Sequence, residues 1–454
     1  MKINVVILAA GQGTRMRSAL PKVLQPLAGR PMLAHVLATA AALEPHKLCV
    51  VHGHGGQQVR AAFADRPIDW VQQEPQLGTG HAVQQALPQL DSDAVALILY
   101  GDVPLVQQTT VERLTQAAAG GPAILTVVEN DPAGYGRIVR DADGAVAAIV
   151  EEQDATPEQR ALREVNTGLM AVPVRQLGPW LKALQADNAQ QEYYLTDIVA
   201  SAVASGVPVT AVAAAAPVEV MGINDKAQLA AAERAMQQRA ASVLMHHGVT
   251  LADPARFDLR GTLTAGSDVT IDINVVFSGE VTLGDQVTIG PNCTISNSTI
   301  GPGSTIKANS VLEGATVGAL CEVGPFARLR PQAELHDGAR VGNFVELKNA
   351  VLGAGSKANH LTYLGDATIG SEVNVGCGTI TCNYDGANKH RTVIGDGAFI
   401  GSGVELVAPV EVGAGATIGA GSTLGKDAPA GELTLERARQ RTVSGWQRPQ
   451  KDRC

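Results

Sequence analysis

A six-residue period in the second half of the chain limits its possible folds more than any other feature. Residues two apart on a strand point to the same side, and a small residue, such as Cys293, stands two positions before most of the repeating aliphatics. Glycine often follows the aliphatic, as a tight corner requires. We therefore predict a left-handed parallel β-helix of hexapeptide repeats. The aliphatic series is Leu283, Ile289, Ile295, Ile300, Ile306, Leu312, Val317, Val323, Leu329, Leu335, Val341 and Leu347, then Ile394, Ile400, Leu406, Val412, Ile418 and Leu424.

The first half of the chain follows a different pattern. Residues 1–247 hold 18 of the 49 glycines, and residues 248–454 hold the other 31. Short apolar runs alternate with longer amphipathic stretches before residue 226, which indicates an α/β domain with a Rossmann-like mixed sheet. Residues 226–247 are alanine-rich with apolar side chains at helical spacing, and Asp225 and Gly248 suit the two helix ends. The predicted parts are thus 1–225, a connecting helix over 226–248, and 249–454 with a C-terminal tail.

Composition excludes several classes of protein. Apolar residues make up 45% and charged residues 17% of the 454 positions, too apolar for a disordered chain. The net charge of −9, with no basic run, argues against nucleic-acid binding. The apolar start of the chain runs straight into glycine and indicates a first strand rather than a signal peptide, and no apolar run is long enough to span a membrane. The six cysteines include no CxxC pair, so we expect a cytoplasmic protein.

The loop after the first predicted strand has the features of a nucleotide cradle. Its residues are Leu8, Ala9, Ala10, Gly11, Gln12, Gly13, Thr14, Arg15 and Met16, followed by Pro21 and Lys22. Glycines let the backbone approach a phosphate closely, and Arg15 and Lys22 supply the positive charge that a triphosphate needs. Met16 replaces the third glycine of the dinucleotide fingerprint, and no Walker GK[ST] is present, so the loop belongs to neither of those classes.

Further polar and glycine residues border the predicted strands of the first half. Tyr100, Gly101 and Asp102 end the apolar run that starts at Val95, where open α/β sheets bind ligands. Asp102 suits Mg²⁺, a cation that takes oxygen ligands and shares them with substrate phosphates. The other candidates, each of which taken alone is a common turn or cap residue, are Gln73, Gly78, Thr79, Gly136, Glu151, Asn166 and Asn224.

Deviations from the hexapeptide repeat mark a second candidate site. His360 lies two residues after Ala358, an inward position, and we expect it to face a cleft or a seam between subunits. The repeat breaks again at a loop that contains Asn383 and Tyr384, and such an insertion commonly builds a binding wall. Histidine titrates near neutral pH and so suits proton transfer. Arg330, Lys348, Tyr363 and Asn374 accompany it, and clustered cations of this kind favour an anionic sugar phosphate.

Taken together, these motifs resemble one family over nearly the whole chain. Residues 1–226 are similar to sugar-1-phosphate nucleotidyltransferases, and the hexapeptide part is similar to acyltransferases. That order resembles the bifunctional bacterial enzymes that act as N-acetylglucosamine-1-phosphate uridyltransferase and glucosamine-1-phosphate acetyltransferase. The resemblance implies acetyl transfer from acetyl-CoA to glucosamine-1-phosphate, then Mg²⁺-dependent transfer from UTP to N-acetylglucosamine-1-phosphate. By the same resemblance, the product, UDP-N-acetylglucosamine, would supply peptidoglycan and lipopolysaccharide synthesis. The resemblance also implies a homotrimer.

The resemblance further implies roles for individual residues. Arg15 and Lys22 would act on the phosphates, and Asp102 and Asn224 would ligate Mg²⁺. His360 would be the proton acceptor, with glucosamine-1-phosphate held by Arg330, Lys348, Tyr363 and Asn374. Binding of UTP and its product would involve Leu8, Ala9, Ala10, Gly11, Lys22, Gln73, Gly78, Thr79, Tyr100, Gly101, Asp102, Gly136, Glu151, Asn166 and Asn224. Binding of acetyl-CoA would involve Cys377, Asn383, Tyr384, Ser402, Ala420 and Arg437. Cys377 stands where the family usually has a small residue such as alanine.

Two alternatives remain at this point. One is a hexose-1-phosphate adenylyl- or thymidylyltransferase whose β-helix is only a structural prop. The other is a nucleotide-sensing structural trimer without catalysis. The pairing of His360 with Asn383 and Tyr384 disfavours the first, and the presence of Lys22, Asp102 and Asn224 disfavours the second.

Overall fold

The computed structural model describes residues 1–449 and divides the chain into two compact units, with the boundary between Met236 and Gln237. The last five positions of the predicted C-terminal domain, Cys454 among them, lie outside the described residues.

The first unit is a nine-stranded mixed sheet with helices on its faces. Its main strand order is β11-β7-β10-β6-β1-β4-β5, and β10 runs antiparallel to both β6 and β7. The strands of this unit are β1 (Ile3–Ala9), β2 (Pro26–Leu27), β3 (Arg30–Pro31), β4 (Lys47–His52), β5 (Asp69–Gln72), β6 (Val95–Tyr100), β7 (Ala123–Val128), β8 (Arg137–Arg140), β9 (Val146–Val150), β10 (Glu164–Pro173) and β11 (Thr210–Ala213). The Rossmann-like mixed sheet is therefore confirmed.

Helices cover the sheet because its central strands are apolar on both sides. Val5, Val6 and Ile7 of β1 are fully buried, which is typical of a strand with a layer on each face. The helices are α1 (Met32–Ala41), α2 (Gly56–Ala62), α3 (Thr79–Ala86), α4 (Gln108–Ala117), α5 (Pro157–Arg160), α6 (Val174–Ala183), α7 (Asp197–Ala204) and α8 (Lys226–His246). Short 3-10 turns lie at Thr14–Met16, Lys22–Leu24, Leu87–Gln89, Pro217–Val220 and, in the second unit, Pro254–Arg256.

Helix α8 spans the boundary between the units; it begins at Lys226, as the sequence predicts, and ends at His246, two residues before the predicted limit of 248. The Asp225 carboxylate accepts a hydrogen bond of 2.8 Å from the backbone N–H of Gln228, as an N-cap does. Gly248 follows the last turn with φ of 92°, a conformation that glycine adopts without strain.

The second unit is a parallel β-helix of short strands stacked coil upon coil. One sheet contains Thr250–Leu251, Thr270–Ile271, Thr288–Ile289, Thr305–Ile306, Glu322–Val323, Arg340–Asn343, Lys357–His360, Asn374–Val375, Phe399–Ile400, Thr417–Ile418 and Leu433–Thr434. The other contains Phe257–Ala265, Val275–Leu283, Thr294–Ser296, Thr299–Ile300, Val311–Glu313, Thr316–Val317, Arg328–Leu329, Ala333–Leu335, Glu346–Leu352, Tyr363–Ile369, Ile380–Cys382, Thr392–Ile394, Glu405–Val407, Val410–Val412 and Thr423–Leu424. Its long strands continue around a corner, so this sheet forms two sides of the coil.

The inward positions of this unit follow the predicted repeat. The aliphatic residues of the series are all buried, and Ile289, Ile306 and Leu329 are fully so. The small partner positions are buried as well, including Cys293 and Cys321, whose interior location explains why thiols occur there without pairing. The sequence pattern thus predicted both members of each inward pair.

Candidate functional site

A cavity of about 510 Å³ lies in the first unit, at the carboxyl ends of β1 and β6. Gly13, in the loop after β1, has φ of 60°, and a Cβ atom there would lie 2.6 Å from Cβ of Lys22. The loop therefore needs glycine at this position both for its backbone conformation and for close packing. The cavity is lined by Leu8, Ala9, Ala10, Gly11, Gln12, Lys22, Val23, Gln73, Gln76, Gly78, Thr79, Ala82, Tyr100, Asp102 and Glu192.

Three side chains that are far apart in the sequence converge at one edge of this cavity. The ammonium of Lys22 is hydrogen-bonded to the Asp102 carboxylate, and it donates a bond of 2.9 Å to Oδ1 of Asn224. Lys22 and Asp102 are largely buried, with side-chain exposures of 12% and 19%. The fold thus brings together the lysine and both predicted metal ligands.

The Asp102 and Asn224 oxygens suit a hard divalent cation. Because both contact the same ammonium nitrogen, they face one point beside the cavity. Within residues 1–449, no group of three or more His, Cys, Asp or Glu side chains could hold a metal. Two protein oxygens leave most ligand positions to phosphates and water, which is the arrangement that Mg²⁺ prefers.

The opposite side of the cavity is ordered by hydrogen bonds around the start of α3. Gln73 Nε2 donates to the carbonyl of Gly78 at 2.9 Å, and Thr79 Oγ1 accepts from the backbone N–H of Leu195 at 3.1 Å. Gly78 has φ of 102°, and a Cβ there would lie 2.8 Å from the Tyr193 carbonyl. These contacts hold Gln73, Gly78 and Thr79 together against the cavity, as the sequence predicted.

A second group of predicted residues meets beside Tyr100, another residue of the cavity wall. The backbone N–H of Asn166 donates to the carbonyl of Gly136 at 2.8 Å, and a Cβ on Gly136 would lie 3.3 Å from both carboxylate oxygens of Glu151. Asn166 is 7% exposed, and its Oδ1 has no hydrogen-bond partner. A buried amide oxygen without a partner is rare, and a ligand donor would satisfy it.

Electrostatics within this group favour the neutral forms of its acids. Burial raises the pKa of Glu151, and the charges of Asp197 and Asp154 add to the rise, against a 3.1 Å hydrogen bond from Thr196 Oγ1. Burial likewise raises the pKa of Tyr100, with contributions from Glu151 and Asp102. This region therefore suits hydrogen bonding to neutral polar groups more than binding of anions.

Two predicted residues of the first unit are placed differently from the others. Arg15 is exposed on the 3-10 turn Thr14–Met16 and is not among the residues that line the cavity. Gly101 is buried, and a Cβ there would lie 3.1 Å from Val23 and 3.3 Å from Ala9. Its role in the fold is therefore close packing behind the loop.

In the second unit, His360 is exposed, so the inward position expected from the repeat is wrong, whereas its placement at a cleft or a seam between subunits stays a prediction. The strand Lys357–His360 ends at this residue, and the chain turns at Leu361 with φ of 47°. Ala358 points inward from within the strand, whereas His360 is its last residue and lies at the corner, where the alternation of sides ends. Its Nδ1 lies 3.0 Å from Oδ1 of Asn343 on the preceding coil.

Strand register stacks several predicted residues along the corner that His360 occupies. Ala358 pairs with Val375, Val375 with Ile400, and Ile400 with Ile418. The positions two residues later are His360, Cys377, Ser402 and Ala420, so these four form one column on successive coils. Gly421 comes next in the chain, and a Cβ on it would lie 3.8 Å from Cδ of Arg437.

The predicted cations lie on the other sheet. Arg330 donates to Glu346 at 2.9 Å, and its backbone N–H bonds to Leu347, next to Lys348. Lys348 pairs in register with Gly365, where a Cβ would lie 2.3 Å from the hydroxyl of Tyr363.

A third cation, Lys389, was missed by the sequence reasoning, although it ends the inserted loop. Its hydrogen bond and charge are the largest causes that lower the pKa of Lys348, and Arg330 adds to this effect. Mutually repelling cations of this kind form a site for an anion.

Asn374 lies on the sheet that carries His360, so the fold does not bring it beside Arg330, Lys348 and Tyr363. Of the inserted-loop residues, Asn383 is buried against the coil, whereas Tyr384 is 62% exposed. The predicted acetyl-transfer residues therefore occupy two different sides of the β-helix.

Comparison with known proteins agrees with this geometry. The MobA-like NTP transferase domain matches residues 5–192, and the bacterial transferase hexapeptide repeats match 266–297 and 391–426. A bifunctional protein GlmU from Alkalilimnicola ehrlichii is 59% identical over 98% of this chain and 96% of its own length. The same protein from Aromatoleum aromaticum is 59% identical over the full length of both chains, and that from Chromobacterium violaceum is 58% identical over 99% of each. The chain belongs to the GlmU family.

As a GlmU family member, the protein is an enzyme with two activities, a glucosamine-1-phosphate N-acetyltransferase and a UDP-N-acetylglucosamine pyrophosphorylase. The two alternatives left open by the sequence, a β-helix without catalysis and a non-catalytic sensor, are therefore wrong. A solved nucleotidyl transferase from Methanothermobacter thermautotroptrophicus matches 51% of this chain and 96% of its own, at 19% identity and a TM-score of 0.37. No helix within residues 1–449 is long and apolar enough to cross a membrane.

Five residues that line the cavity of this GlmU family member were not selected as binding residues from the sequence: the apolar Val23 and Ala82, and the polar Gln12, Gln76 and Glu192. Gln12 lies between the two glycines of the loop, and Gln76 precedes the Gly78 turn, so both stood in glycine-rich runs that signal a ligand. Glu192 reaches the cavity from a distant segment, and no local pattern could have indicated it.

Proposed function

We propose that uridyl transfer takes place in the cavity at the carboxyl ends of β1 and β6. The observation that carries this assignment is the meeting of Lys22, Asp102 and Asn224 beside a glycine-rich loop. The uracil end of UTP lies against Gln73, Gly78 and Thr79. There, the hydrogen bond between the Gln73 side-chain amide and the Gly78 carbonyl holds both groups in fixed positions. The backbone of Leu8, Ala9, Ala10 and Gly11 and the Tyr100–Asp102 segment border the phosphates.

The phosphates are neutralised from the Lys22 side. Asp102 and Asn224 would hold Mg²⁺, which would supply positive charge against the transferring phosphate. Lys22, freed to turn from these oxygens toward phosphate, orients the α-phosphate for attack by the sugar phosphate oxygen, and pyrophosphate leaves. Arg15 acts on the phosphates from the exposed 3-10 turn. Unlike Lys22, Arg15 is not among the residues that line the cavity.

The amino sugar is held by Gly136, Glu151 and Asn166. The partnerless Oδ1 of Asn166 supports this assignment, because a sugar hydroxyl or the acetamido N–H is the kind of donor it lacks. The raised pKa of Glu151 supports hydrogen bonding to a neutral sugar rather than to a cation. Gly136 leaves room at this point, since any side chain would meet the Glu151 carboxylate.

Acetyl transfer uses His360 as the proton acceptor. A proton on Nδ1 donates to Oδ1 of Asn343, and this contact leaves the lone pair of Nε2 available. The amine nitrogen of glucosamine-1-phosphate attacks the thioester carbonyl, its proton passes to Nε2, and the thiolate of coenzyme A departs. Arg330, Lys348 and Tyr363 bind the sugar phosphate together with Asn374.

Acetyl-CoA lies along the corner column that continues from His360. The strand register supports this path, because it stacks Cys377, Ser402 and Ala420 in one line that starts at His360. Arg437 lies beside the last of these residues. Asn383 and Tyr384 of the inserted loop complete the binding wall. Arg437 suits the phosphates of coenzyme A.

The active assembly is a homotrimer in which clefts form between β-helices. Phe326, Phe344 and Leu361 form a ridge beside His360, and they are 48%, 58% and 59% exposed. All three have left-handed backbones, which bulky side chains rarely adopt, and the two Phe rings stack at 5.3 Å. Asn292 and Asn309 occupy the same corner on earlier coils. A second copy that covers the ridge also explains how Asn374 can serve cations that lie on a different side.

The proposed domain limits are 1–225 for uridyl transfer, 226–248 for the connecting helix and 249–454 for acetyl transfer. The location is the cytoplasm, where UTP and acetyl-CoA occur. The cysteines within the described residues, at positions 49, 293, 321, 377 and 382, are unpaired, in keeping with a reducing compartment.

A coupled assay tests the site assignments. Purified protein receives acetyl-CoA, glucosamine-1-phosphate, UTP and Mg²⁺, each omitted in turn, while free thiol and pyrophosphate are followed separately. Because pyrophosphate release needs the acetylated sugar phosphate, N-acetylglucosamine-1-phosphate is supplied whenever that activity is measured by itself. Under this condition, we expect His360→Ala to abolish thiol release alone and Asp102→Ala to abolish pyrophosphate release alone. For the trimer, Phe326→Asn with Phe344→Asn restores the residue type of the neighbouring corners, so the fold should persist while light scattering shows monomers. Persistence of trimers would refute the assignment of the ridge.

A further inference from the structure

Asp366 is a carboxylate in an unusual position on the β-helix. It lies within the strand Tyr363–Ile369, at a corner where its own backbone is left-handed with φ of 49°. The residue is 9% exposed. A buried carboxylate requires partners that compensate for its loss of water, so its contacts indicate what it does.

Both oxygens of Asp366 are used, and they point to different coils. Oδ1 accepts a bond of 2.6 Å from Nδ2 of Asn349 on the preceding coil, and Oδ2 accepts from Nδ2 of Asn383 on the following one. Burial raises the pKa of Asp366, but these two donors and the charges of Lys389 and Lys348 outweigh it, so that the pKa lies below its ordinary value. The group is therefore charged at neutral pH.

The Asn383 contact joins Asp366 to the base of the inserted loop. Beyond this base, the loop satisfies much of its own hydrogen bonding: His390 N–H donates to Asn383 O at 2.8 Å, and Asp385 pairs with His390 at 2.7 Å. Asp385 Oδ1 also accepts from the backbone N–H groups of Ala387 and Asn388. The tip is thus internally braced, and Asp366 contacts it at the residue that precedes Tyr384.

The same carboxylate faces two lysines. Lys389 and Lys348 repel each other, which lowers the pKa of Lys348, and Asp366 is the charge that opposes this effect. Asp366 therefore lies between the groups assigned to acetyl-CoA and those assigned to the sugar phosphate.

We infer that Asp366 is a positioning residue for acetyl transfer, which holds the Asn383 amide in its binding orientation and places a negative charge beside Lys348. The inference rests on the proposed function, because it takes Asn383 as an acetyl-CoA contact and Lys348 as a sugar phosphate contact. Asp366 touches neither substrate in this account.

The first test is Asp366→Asn, which retains shape but removes the charge and places a second donor opposite Asn383. We expect the KM for acetyl-CoA to rise about tenfold with kcat changed by less than about threefold, the effect of losing one bond to a charged group. The KM for glucosamine-1-phosphate should not rise at pH 7. When this KM is measured against pH, however, its rise on the alkaline side should begin at a lower pH, because Lys348 then loses its proton more easily. Equal rises in both KM values, or neither, would overturn the inference.

Asp385→Asn is the matched control, since it makes the same Asp-to-Asn change within the inserted loop, away from the contact between Asp366 and Asn383. We expect it to alter both KM values by less than about twofold. An effect on acetyl-CoA as large as that of Asp366→Asn would mean that general loosening of the loop, and not Asp366, is responsible. Pyrophosphate release from the same preparations checks that the chain is otherwise intact.

A double variant separates this inference from the proposed function. Asn383→Ala should raise the KM for acetyl-CoA, and adding Asp366→Asn should raise it no further, since the two act through one contact. If the double variant instead shows the product of the two single rises in this KM, the inference is overturned. If Asn383→Ala leaves this KM unchanged, the assignment of Asn383 itself fails. If Asp366→Asn does not fold, Asn349→Gly is the alternative variant. It removes the hydrogen bond to Oδ1 of Asp366, and glycine accepts the left-handed backbone at position 349 without strain. An unchanged KM for acetyl-CoA in this variant would overturn the inference.

Discussion

Replacement of Asn343 by alanine probes how the fold orients the histidine proposed as the base. The Oδ1 atom of Asn343 lies 3.0 Å from Nδ1 of His360, and the two residues pair in register on adjacent coils. With this acceptor present, the neutral imidazole carries its proton on Nδ1 and presents Nε2 to the amine.

The size of the effect follows from the hydrogen bond. A neutral hydrogen bond contributes about 0.5–1.5 kcal/mol net, which corresponds to roughly a 2- to 12-fold change in rate. We expect the rate of thiol release by Asn343→Ala to fall within this range. The loss should be far smaller than that of His360→Ala, which removes the base altogether.

The assay follows free thiol across pH at saturating substrates, with pyrophosphate release as the control for the other unit. Asn343→Asp adds a second reading. A carboxylate beside Nδ1 stabilises the protonated imidazole, so the acidic limb of the pH profile for thiol release should move to higher pH. An unchanged rate in Asn343→Ala, or a loss equal to that of His360→Ala, would refute the reasoning that this contact orients the base.

Three further outcomes follow from the geometry. Lys22→Ala should lower the rate of pyrophosphate release at least about 100-fold while thiol release persists, and unchanged turnover would remove the lysine from the site. Burial raises the pKa of Glu151 above its ordinary 4.5. The folded protein therefore loses stability relative to the unfolded chain as pH rises from about 4.5 through the raised pKa. Glu151→Gln should therefore gain stability relative to wild type as pH rises from 4 to 7 in thermal unfolding, and a constant difference would contradict this. Gly342→Ala places a Cβ 1.9 Å from a backbone carbonyl and should lower the stability of the β-helix by about 1–3 kcal/mol, whereas Gly425→Ala, with nothing within 4 Å, should not.

The inward pattern of the β-helix was predictable because each coil repeats the same local rule. A large aliphatic and a small partner two residues apart must share a side of a strand, so Ile289 and Val287 could be placed without any knowledge of the other coils. The same rule failed at His360, because it applies only as far as the strand continues, and the sequence does not mark where the corner begins.

The candidate sites were partly predictable for a related reason. Glycines at 11 and 13, and the Asp102 that follows β6, lie at the carboxyl ends of neighbouring parallel strands, and elements at that edge must lie near one another. Lys389 and Glu192 were not predictable, since each reaches its neighbours from a loop with no periodicity. The role of Asp366 was not predictable either, because it depends on hydrogen bonds to two partners, one 17 residues before it and one 17 residues after it.

The sequence alone determined the period of the β-helix, the start of helix α8 and the residue types available for phosphate and metal binding, because these depend on spacing and side-chain chemistry. Only the tertiary structure decided which of those groups meet. Lys22 and Asn224 are 202 positions apart yet share a hydrogen bond, and such a contact depends on how strands are ordered in the sheet. Local preferences act over a few residues, whereas strand order is a property of the whole unit.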